Sequence, residues 1–336
     1  MSETIHIQKT LDIALLAYDQ ANAVDVFGPL QVFASASTIL LERLKLRTEP
    51  AYRTRVLSID STEVRLATGT RIHCDGLLTD LGTELPDTLL IVGGDPAPQL
   101  AQNIELITHL GQLLPDLPRV GSVCSGAFLL AATGCLNGRR ATTHWRRYEL
   151  FRERFPQVEL MIDAIHTEDD HYHCSAGVTA GMDLALRLVE DDFGRKVALE
   201  TAREMVMFYH RPGGQSQYSN LTGLKPAATP ALQKVQDWIS THLSQNLEVG
   251  ILAEQAAMST RHFSRKFQQE IGLSPARYVT LARLHQARLQ LESSPQTLKS
   301  IARQCGYPDA EIMRRAFIRE LNVSPTEYRQ RFCLYS

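Results

Sequence analysis

Short uninterrupted aliphatic runs alternate with amphipathic stretches through the first half of the chain: Ile13 to Leu16, then Val26 to Leu40; Leu89 to Val92, then Leu100 to Leu114; Val120 to Val123, then Phe128 to Ala132. A run of four or five Leu, Ile and Val residues without polar alternation suits a strand covered on both faces, and the helical periods between such runs suit crossover connections. The pattern predicts an α/β domain built on a parallel sheet. Beyond Phe155-Pro156 it predicts a short extended piece from Val158 to Met161 and a polar turn from Thr167 to Asp170. Two helices follow, Val178 to Glu190 and Arg195 to Phe208, separated by Gly194, to pack on the sheet and close the domain.

Two helix-breaking segments come next, Arg211 to Gln215 and Lys225 to Pro230, with few large apolar residues to bury. They place a linker over residues 211–230, behind a first domain of residues 1–210. From Ala231 the periodicity is helical throughout, so residues 231–336 form an all-α domain. That domain carries an internal repeat. Ser264 to Tyr278 aligns with Arg314 to Tyr328, with 50 positions between Phe267 and Phe317. Ahead of each copy lies a short apolar helix and a small-residue turn: Leu252, Ala253, Ala256 and Ala257 before Met258-Ser259, and Ile301, Ala302 and Cys305 before Gly306-Tyr307. A helix, a tight turn and a second helix with a basic outer face is the helix-turn-helix pattern, here twice. Helical spacing turns Phe263 and Phe267 inward and leaves Arg261, Arg265 and Gln268 outside, with His262 and Lys266 extending the basic face. In the second copy Met313, Ala316 and Phe317 face in, and Glu311, Arg314 and Arg315 face out.

A length of 336 residues agrees with two domains, and 44% apolar with 21% charged residues excludes a disordered, collagen-like or disulfide-stapled chain. There is no basic segment leading a long apolar one, and no run of about 18 apolar residues. The expectation is a soluble cytoplasmic protein with no membrane partner. Six scattered cysteines, Cys74, Cys124, Cys135, Cys174, Cys305 and Cys333, with no CxxC pair, fit reduced thiols. The net charge of −2 conceals an asymmetry: residues 230–336 hold 14 Lys and Arg against 9 Asp and Glu, net +5, which leaves −7 on residues 1–229. A basic tail on an acidic body points to a polyanion, and two helix-turn-helix units make that partner double-stranded DNA.

Over nearly all of residues 231–332 the tail resembles the AraC-type DNA-binding domain, in which two helix-turn-helix units are joined by a long helix, here Pro275 to Leu291. The Cys305-Gly306-Tyr307 turn and both Ser-Pro-x-x-Tyr repeats, Ser274 to Tyr278 and Ser324 to Tyr328, carry the resemblance. The chain departs from it at Tyr307, where phenylalanine is commoner, and at Asn322, where glycine is usual. Asparagine tolerates a left-handed helix cap.

Ser122-Val123-Cys124-Ser125-Gly126 ends an apolar strand and opens an apolar helix. The chain must turn sharply at Cys124, as in nucleophile elbows, where the reactive atom stands at a helix N-terminus. The free amides and dipole there lower a thiol's pKa, and Gly93 and Gly94 would add amides to that of Ser125 as an oxyanion-type pocket. The run from Val123 to Trp145, with Ser175 to Gly194 and Arg211 to Gln215, resembles the PfpI-like branch of the class I glutamine amidotransferase superfamily, and specifically the GlxA-type regulators that fuse it to an AraC-type tail. The resemblance implies a flavodoxin-like three-layer sheet and puts an acidic residue, Asp25, and a histidine, His144, beside Cys124. Ser125 stands where PfpI-like peptidases have histidine, and the late His-Pro-Glu of glutaminases is missing. Asp25, Cys124 and Ser125 match isonitrile-hydratase-like members, so the rival reading is a Cys-dependent hydrolase or hydratase with a DNA-binding tail.

The segment His166 to Cys174 is rich in metal-ligand residue types, with His171 and His173 on one face, yet an exposed acidic hairpin turn accounts for it, and no metal site is expected. No glycine loop with a phosphate-binding lysine is present, and no cofactor is implied. The expectation is a dimeric, cytoplasmic, non-enzymatic transcription regulator. Its first domain senses a small, nitrogen-containing effector through Asp25, Gly93, Gly94, Cys124, Ser125 and His144. Its second reads promoter DNA through Arg261, His262, Arg265, Lys266, Glu311, Arg314 and Arg315.

Overall fold

The computed structural model describes residues 9–82, 84–209, 215 and 227–332. It divides into two compact units, Met1–Arg211 and Pro212–Ser336. Most of the linker expected at 211–230, and the Arg211 to Gly214 part of the RPGGQ motif, lie outside the described residues.

In the first unit the strands are β1 (Leu11–Ala17), β2 (Tyr52–Ser58), β3 (Glu63–Arg65), β4 (Arg71–His73), β5 (Gly76–Leu77), β6 (Thr88–Ile91), β7 (Val120–Val123), β8 (Arg140–Ala141), β9 (Glu159–Leu160), β10 (His166–Asp169) and β11 (Tyr172–Ser175). Seven of them form one sheet in the order β10-β11-β7-β6-β1-β2-β5, parallel except for β10. Its central strands are aliphatic and fully buried, because helices cover both faces. Those helices are α1 (Ala23–Thr38), α2 (Ala97–Leu100), α3 (Ile104–Leu113), α4 (Ala127–Ala132), α5 (Tyr148–Arg154) and α6 (Thr179–Glu204). The stretch Ala23–Arg43 has the length and hydropathy of a membrane span, but 61% of its apolar window is buried within the protein.

The strands and helices expected from the aliphatic runs are all present, with four differences: an unannounced strand, a broken helix, a strand in place of a turn and an earlier helix end. Strand β2 has no aliphatic run to announce it: Arg53 and Arg55 alternate into it, and both reach Asp12 on β1, at 3.1 and 2.8 Å. The Leu100 to Leu114 run breaks at Asn103, whose side chain caps α3 by accepting from the Leu106 amide at 3.2 Å. Thr167 to Asp169 is not a turn but the polar edge strand β10, and the reversal falls at Asp170, with φ of 59°. Gly194, at the non-helical φ of 81° and ψ of 165°, separates two helical stretches of α6 as expected, and the second stops at Glu204 rather than Phe208.

A buried ionic latch holds α6 to the N-terminal ends of the strands. Arg119 grips Asp192 with both terminal nitrogens at 3.0 and 2.9 Å and donates to Thr88, while the Tyr52 hydroxyl donates to Asp192 at 2.7 Å. The opposite, C-terminal ends are left for the cysteine elbow.

The second unit is helical among its described residues: α7 (Pro230–Thr241), α8 (Val249–Gln255), α9 (Thr260–Ile271), α10 (Pro275–Ser293), α11 (Leu298–Gln304), α12 (Ala310–Leu321) and α13 (Pro325–Phe332). Two cores form, one around Phe263 and Phe267 and one around Met313 and Phe317, and α10 contributes to both. Ser259, Ser274, Thr297 and Asp309 cap the helices that follow them. Gly272 and Asn322 end α9 and α12 in the left-handed region, at φ 80° and 53°, so asparagine does fill the glycine position. At Gly306 only glycine fits, since a β-carbon there would lie 1.9 Å from the Leu243 carbonyl oxygen.

Candidate functional site

Four neighbouring strands deliver the elbow. Asp25 follows β1 in the first turn of α1, Gly93 follows β6, Cys124 follows β7, and Gly177-Val178 follows β11. Cys124 takes φ of 58°, the sharp strand-to-helix turn the sequence predicts, and its strain is held by close packing on both sides. A β-carbon on Gly93 would lie 2.5 Å from the Cys124 β-carbon, and one on Gly177 only 2.3 Å. Asp25 is fully buried and ties the loops together, accepting from the Val178 amide at 2.8 Å and the Gly93 amide at 3.2 Å. Val178 itself is held at φ 51° and ψ −116°, an uncommon conformation for a β-branched residue.

Two chemical expectations are corrected here. Cys124 is not acidified: burial first, then the adjacent Asp25 charge, pushes its thiol up to about 12, against a smaller opposing effect of the Ser125 amide and hydroxyl. Helix α4 has six residues, and its weak dipole does not offset that burial. The expected oxyanion amides are also engaged. The Gly93 amide donates to Asp25, and the Gly94 amide donates at 2.9 Å to the Ser125 hydroxyl, which in turn donates to the Gly94 carbonyl at 2.7 Å. Burial raises the Asp25 carboxyl to about 6, its hydrogen bonds to Val178, Gly93 and Cys124 acting the other way.

His144 lies near this network without joining it. Its Nδ1 accepts from the Arg146 amide at 3.3 Å, its ring stacks on Trp145, and burial with Arg146 and Arg147 lowers its pKa. The adjacent Thr143 makes the contact, its hydroxyl donating to the Cys124 carbonyl at 2.9 Å. Thr143, Gly177, Val178 and Tyr18, which donates to the Val92 carbonyl at 2.9 Å, escaped the sequence reading. Ser175 to Gly194 was visible as a motif, but nothing in it marks Gly177 as the residue against the thiol. The His166 to Cys174 segment is the β10–β11 hairpin, where His173 pairs with Glu168 across the strands and burial lowers its pKa to about 4. Among the described residues no group of three or more His, Cys, Asp or Glu side chains is placed to hold a metal.

On the second unit, Arg261, His262 and Arg265 are exposed along α9, while Lys266 is half-buried, 3.9 Å from Glu270. On α12, Glu311, Arg314 and Arg315 are exposed and bound to one another: Glu311 accepts from Arg314 at 2.7 and 2.8 Å and from Arg315 at 3.2 Å. Those hydrogen bonds push the Glu311 carboxyl down to about 2.

A doubly covered parallel sheet with a strained cysteine elbow, followed by two helix-turn-helix units, defines a DNA-binding regulator with an enzyme-like first domain. Residues 12–191 match the DJ-1/PfpI family and residues 252–331 match a helix-turn-helix domain. The chain belongs to the DJ-1/PfpI family, in the GlxA-type branch that joins such a domain to an AraC-type DNA-binding domain. It is a DNA-binding transcriptional regulator. It is 27% identical to the HTH-type transcriptional regulator CdhR of Pseudomonas aeruginosa over 83% of this chain and 82% of that one. It is 26% identical to the HTH-type transcriptional regulator GlxA of Rhizobium meliloti over 90% and 92%. Among solved structures, a THiJ/PfpI family protein from Pseudomonas syringae shares the fold with a TM-score of 0.52 at 19% identity, over 81% of this chain and 94% of that one. An AraC family transcriptional regulator from Pseudomonas putida does so at 0.51 and 22%, over 58% and 99%.

Proposed function

We propose that the chain is a cytoplasmic, homodimeric regulator whose residues 1–210 sense a small nitrogen-containing metabolite and whose residues 231–336 read promoter DNA, with residues 211–230 as the connection. The observation that supports the DNA half is the placement of Arg261, His262 and Arg265 on one exposed helix face and Arg314 and Arg315 on its repeat. Each second helix of a helix-turn-helix enters a major groove, and two units joined by one helix address successive grooves. An arginine on guanine carries about 1–3 kcal/mol of discrimination, whereas a phosphate contact weakens binding to all sequences alike. In gel-shift titrations at fixed salt, Arg265→Ala and Arg315→Ala are each expected to weaken binding to a selected site. Unchanged specific and non-specific affinity in both would refute this docking.

For the first domain, the engaged Gly93 and Gly94 amides and the neutral thiol argue against turnover at Cys124. The elbow residues Asp25, Gly93, Gly94 and Ser125 satisfy one another's polar groups around Cys124, with Gly177 packed against the thiol. We assign them to holding the strand ends together. Cys124→Ser is accordingly expected to leave effector response intact. Hydrolysis of an amide or isonitrile by the wild type that vanished in Cys124→Ser would reverse this assignment.

A further inference from the structure

Among the described residues, the two helix-turn-helix units share a helix but not a core. The apolar cluster around Phe263 and Phe267 takes Tyr278 and Val279 from the start of α10, and the cluster around Met313 and Phe317 takes Leu284, Ala287 and Leu291 from the rest of it. Polar contacts join the two. Arg277, in the first turn of α10, donates through both terminal nitrogens to the two carboxylate oxygens of Glu320, near the end of α12. This is the forked, charge-assisted geometry of a strong pair. Arg277 is half-exposed, but only 6% of the Glu320 side chain is exposed, and Arg319 donates to the same carboxylate at 2.7 Å.

The repeat shows what this glutamate is for. Glu320 aligns with Glu270 at the same place on α9, and Glu270 accepts from the Thr229 amide at 3.0 Å and from the Thr229 hydroxyl. Each reading helix is thus tethered near its end by a glutamate to a preceding part of the chain, in the second copy to the first unit. Arg277 aligns in turn with Glu327, which reaches only as far as the Ser324 amide, at 2.7 Å. The cross-unit bond therefore belongs to one copy of the repeat and not to the repeat itself. A second contact seats the turn of the second unit. Arg283 of α10 donates to the carbonyls of Leu243 and Gln245, at 3.1 and 2.8 Å, and the Leu243 carbonyl abuts Gly306. A helix of 19 residues is about 28 Å long and curves gently on its own. Lateral ties at Glu320 and Gly306 restrict that freedom.

We propose that Arg277 and Glu320 are spacing-determining residues: their ion pair fixes the separation of the reading helices α9 and α12 and so selects DNA sites whose two contacted segments lie one set distance apart. The inference rests on the two-groove docking above and adds the residues that set its register. One extra base pair between the segments moves one of them by about 3.4 Å and turns it by about 35°. Such a site is bound through both units only when the pair opens, so discrimination against it includes the strength of the pair.

The test uses the full chain and a DNA fragment it selects from a random pool, with the protected segments located by hydroxyl-radical footprinting. Fluorescence anisotropy compares that fragment with versions carrying one base pair more or one fewer between the segments. The wild type is expected to bind the altered fragments about thirtyfold more weakly. Arg277→Ala and Glu320→Gln are each expected to reduce that ratio about tenfold, and the double variant no further, because either substitution alone already breaks the pair. The two substitutions change the net charge in opposite directions, so a general electrostatic effect on DNA affinity would separate them, and a destabilised fold would weaken all three fragments alike. Neither moves the ratio. Should Glu320→Gln fold poorly, the half-exposed Arg277→Ala carries the test. A wild type indifferent to spacing, or ratios unchanged in the variants, would overturn the assignment and leave the docking standing. Protection of a single groove would overturn both.

Discussion

Asp25 shows how one buried carboxyl can organise a site while making its stability depend on pH. Burial raises it from 3.8 to about 6, so folding favours the protonated form. Its contribution is fully present below about pH 4 and is lost as pH rises through 6, a change on the order of 2–3 kcal/mol. Urea midpoints measured from pH 4 to 7 are expected to fall across that window in the wild type, and to lose that component in Asp25→Asn. A slope identical in the two proteins would locate the titration elsewhere. The neighbouring Gly177 tests the packing. It combines φ of 102° with a β-carbon position 2.3 Å from Cys124, so Gly177→Ala is expected to cost several kcal/mol. Removing the Cys124 side chain, as Cys124→Gly, is expected to recover part of that loss, measured as a double-mutant cycle.

The two second helices of the DNA-binding unit are repeats in sequence but not in electrostatics. Helix α9 presents Arg261, His262 and Arg265 with no carboxylate bound to them, whereas α12 offers Arg314 and Arg315 already engaged by Glu311. To touch DNA, those arginines must give up or share that carboxylate. Glu311→Gln is therefore expected to raise affinity for DNA of any sequence and to steepen its salt dependence by about one unit of slope. Fluorescence anisotropy across a salt series measures both. An unchanged slope would mean that Glu311 leaves the two arginines free in solution. The cap positions show the complementary case, in which local chemistry alone decides: Gly272 and Asn322 end equivalent helices with the same left-handed turn.

At the scale of the whole molecule, each unit buries a core of its own, and among the described residues the helix-turn-helix cores draw on none before Ala227. Residues 212–336 expressed alone are expected to fold and to bind a DNA fragment selected by the full chain, with any effector response lost. Failure of that fragment to show helical circular dichroism and a cooperative melt would mean that its folding depends on the first unit.

The amino-acid pattern alone determined the core strands β1, β6 and β7 with their helices, the repeat and the elbow, because each follows from short-range rules: uninterrupted aliphatic runs, the helical period, and the small residues a sharp turn demands. The resemblance to the AraC-type domain placed Asn322 at a helix end, a matter of one residue's backbone freedom. Strand β2 stayed hidden because its arginines break the aliphatic pattern, and their partner, Asp12 on β1, lies 41 positions away from Arg53. The chemistry of Cys124 stayed hidden for the same reason. A cysteine at a helix N-terminus reads as acidic, and only the tertiary structure brings Asp25 from α1 and Gly177 from the end of the neighbouring strand β11 against it. The amides of Gly93 and Gly94 were legible, but their engagement by Asp25 and Ser125 was not. Charge and solvation at a site depend on what long-range packing brings within a few ångströms, which no local pattern along the chain encodes.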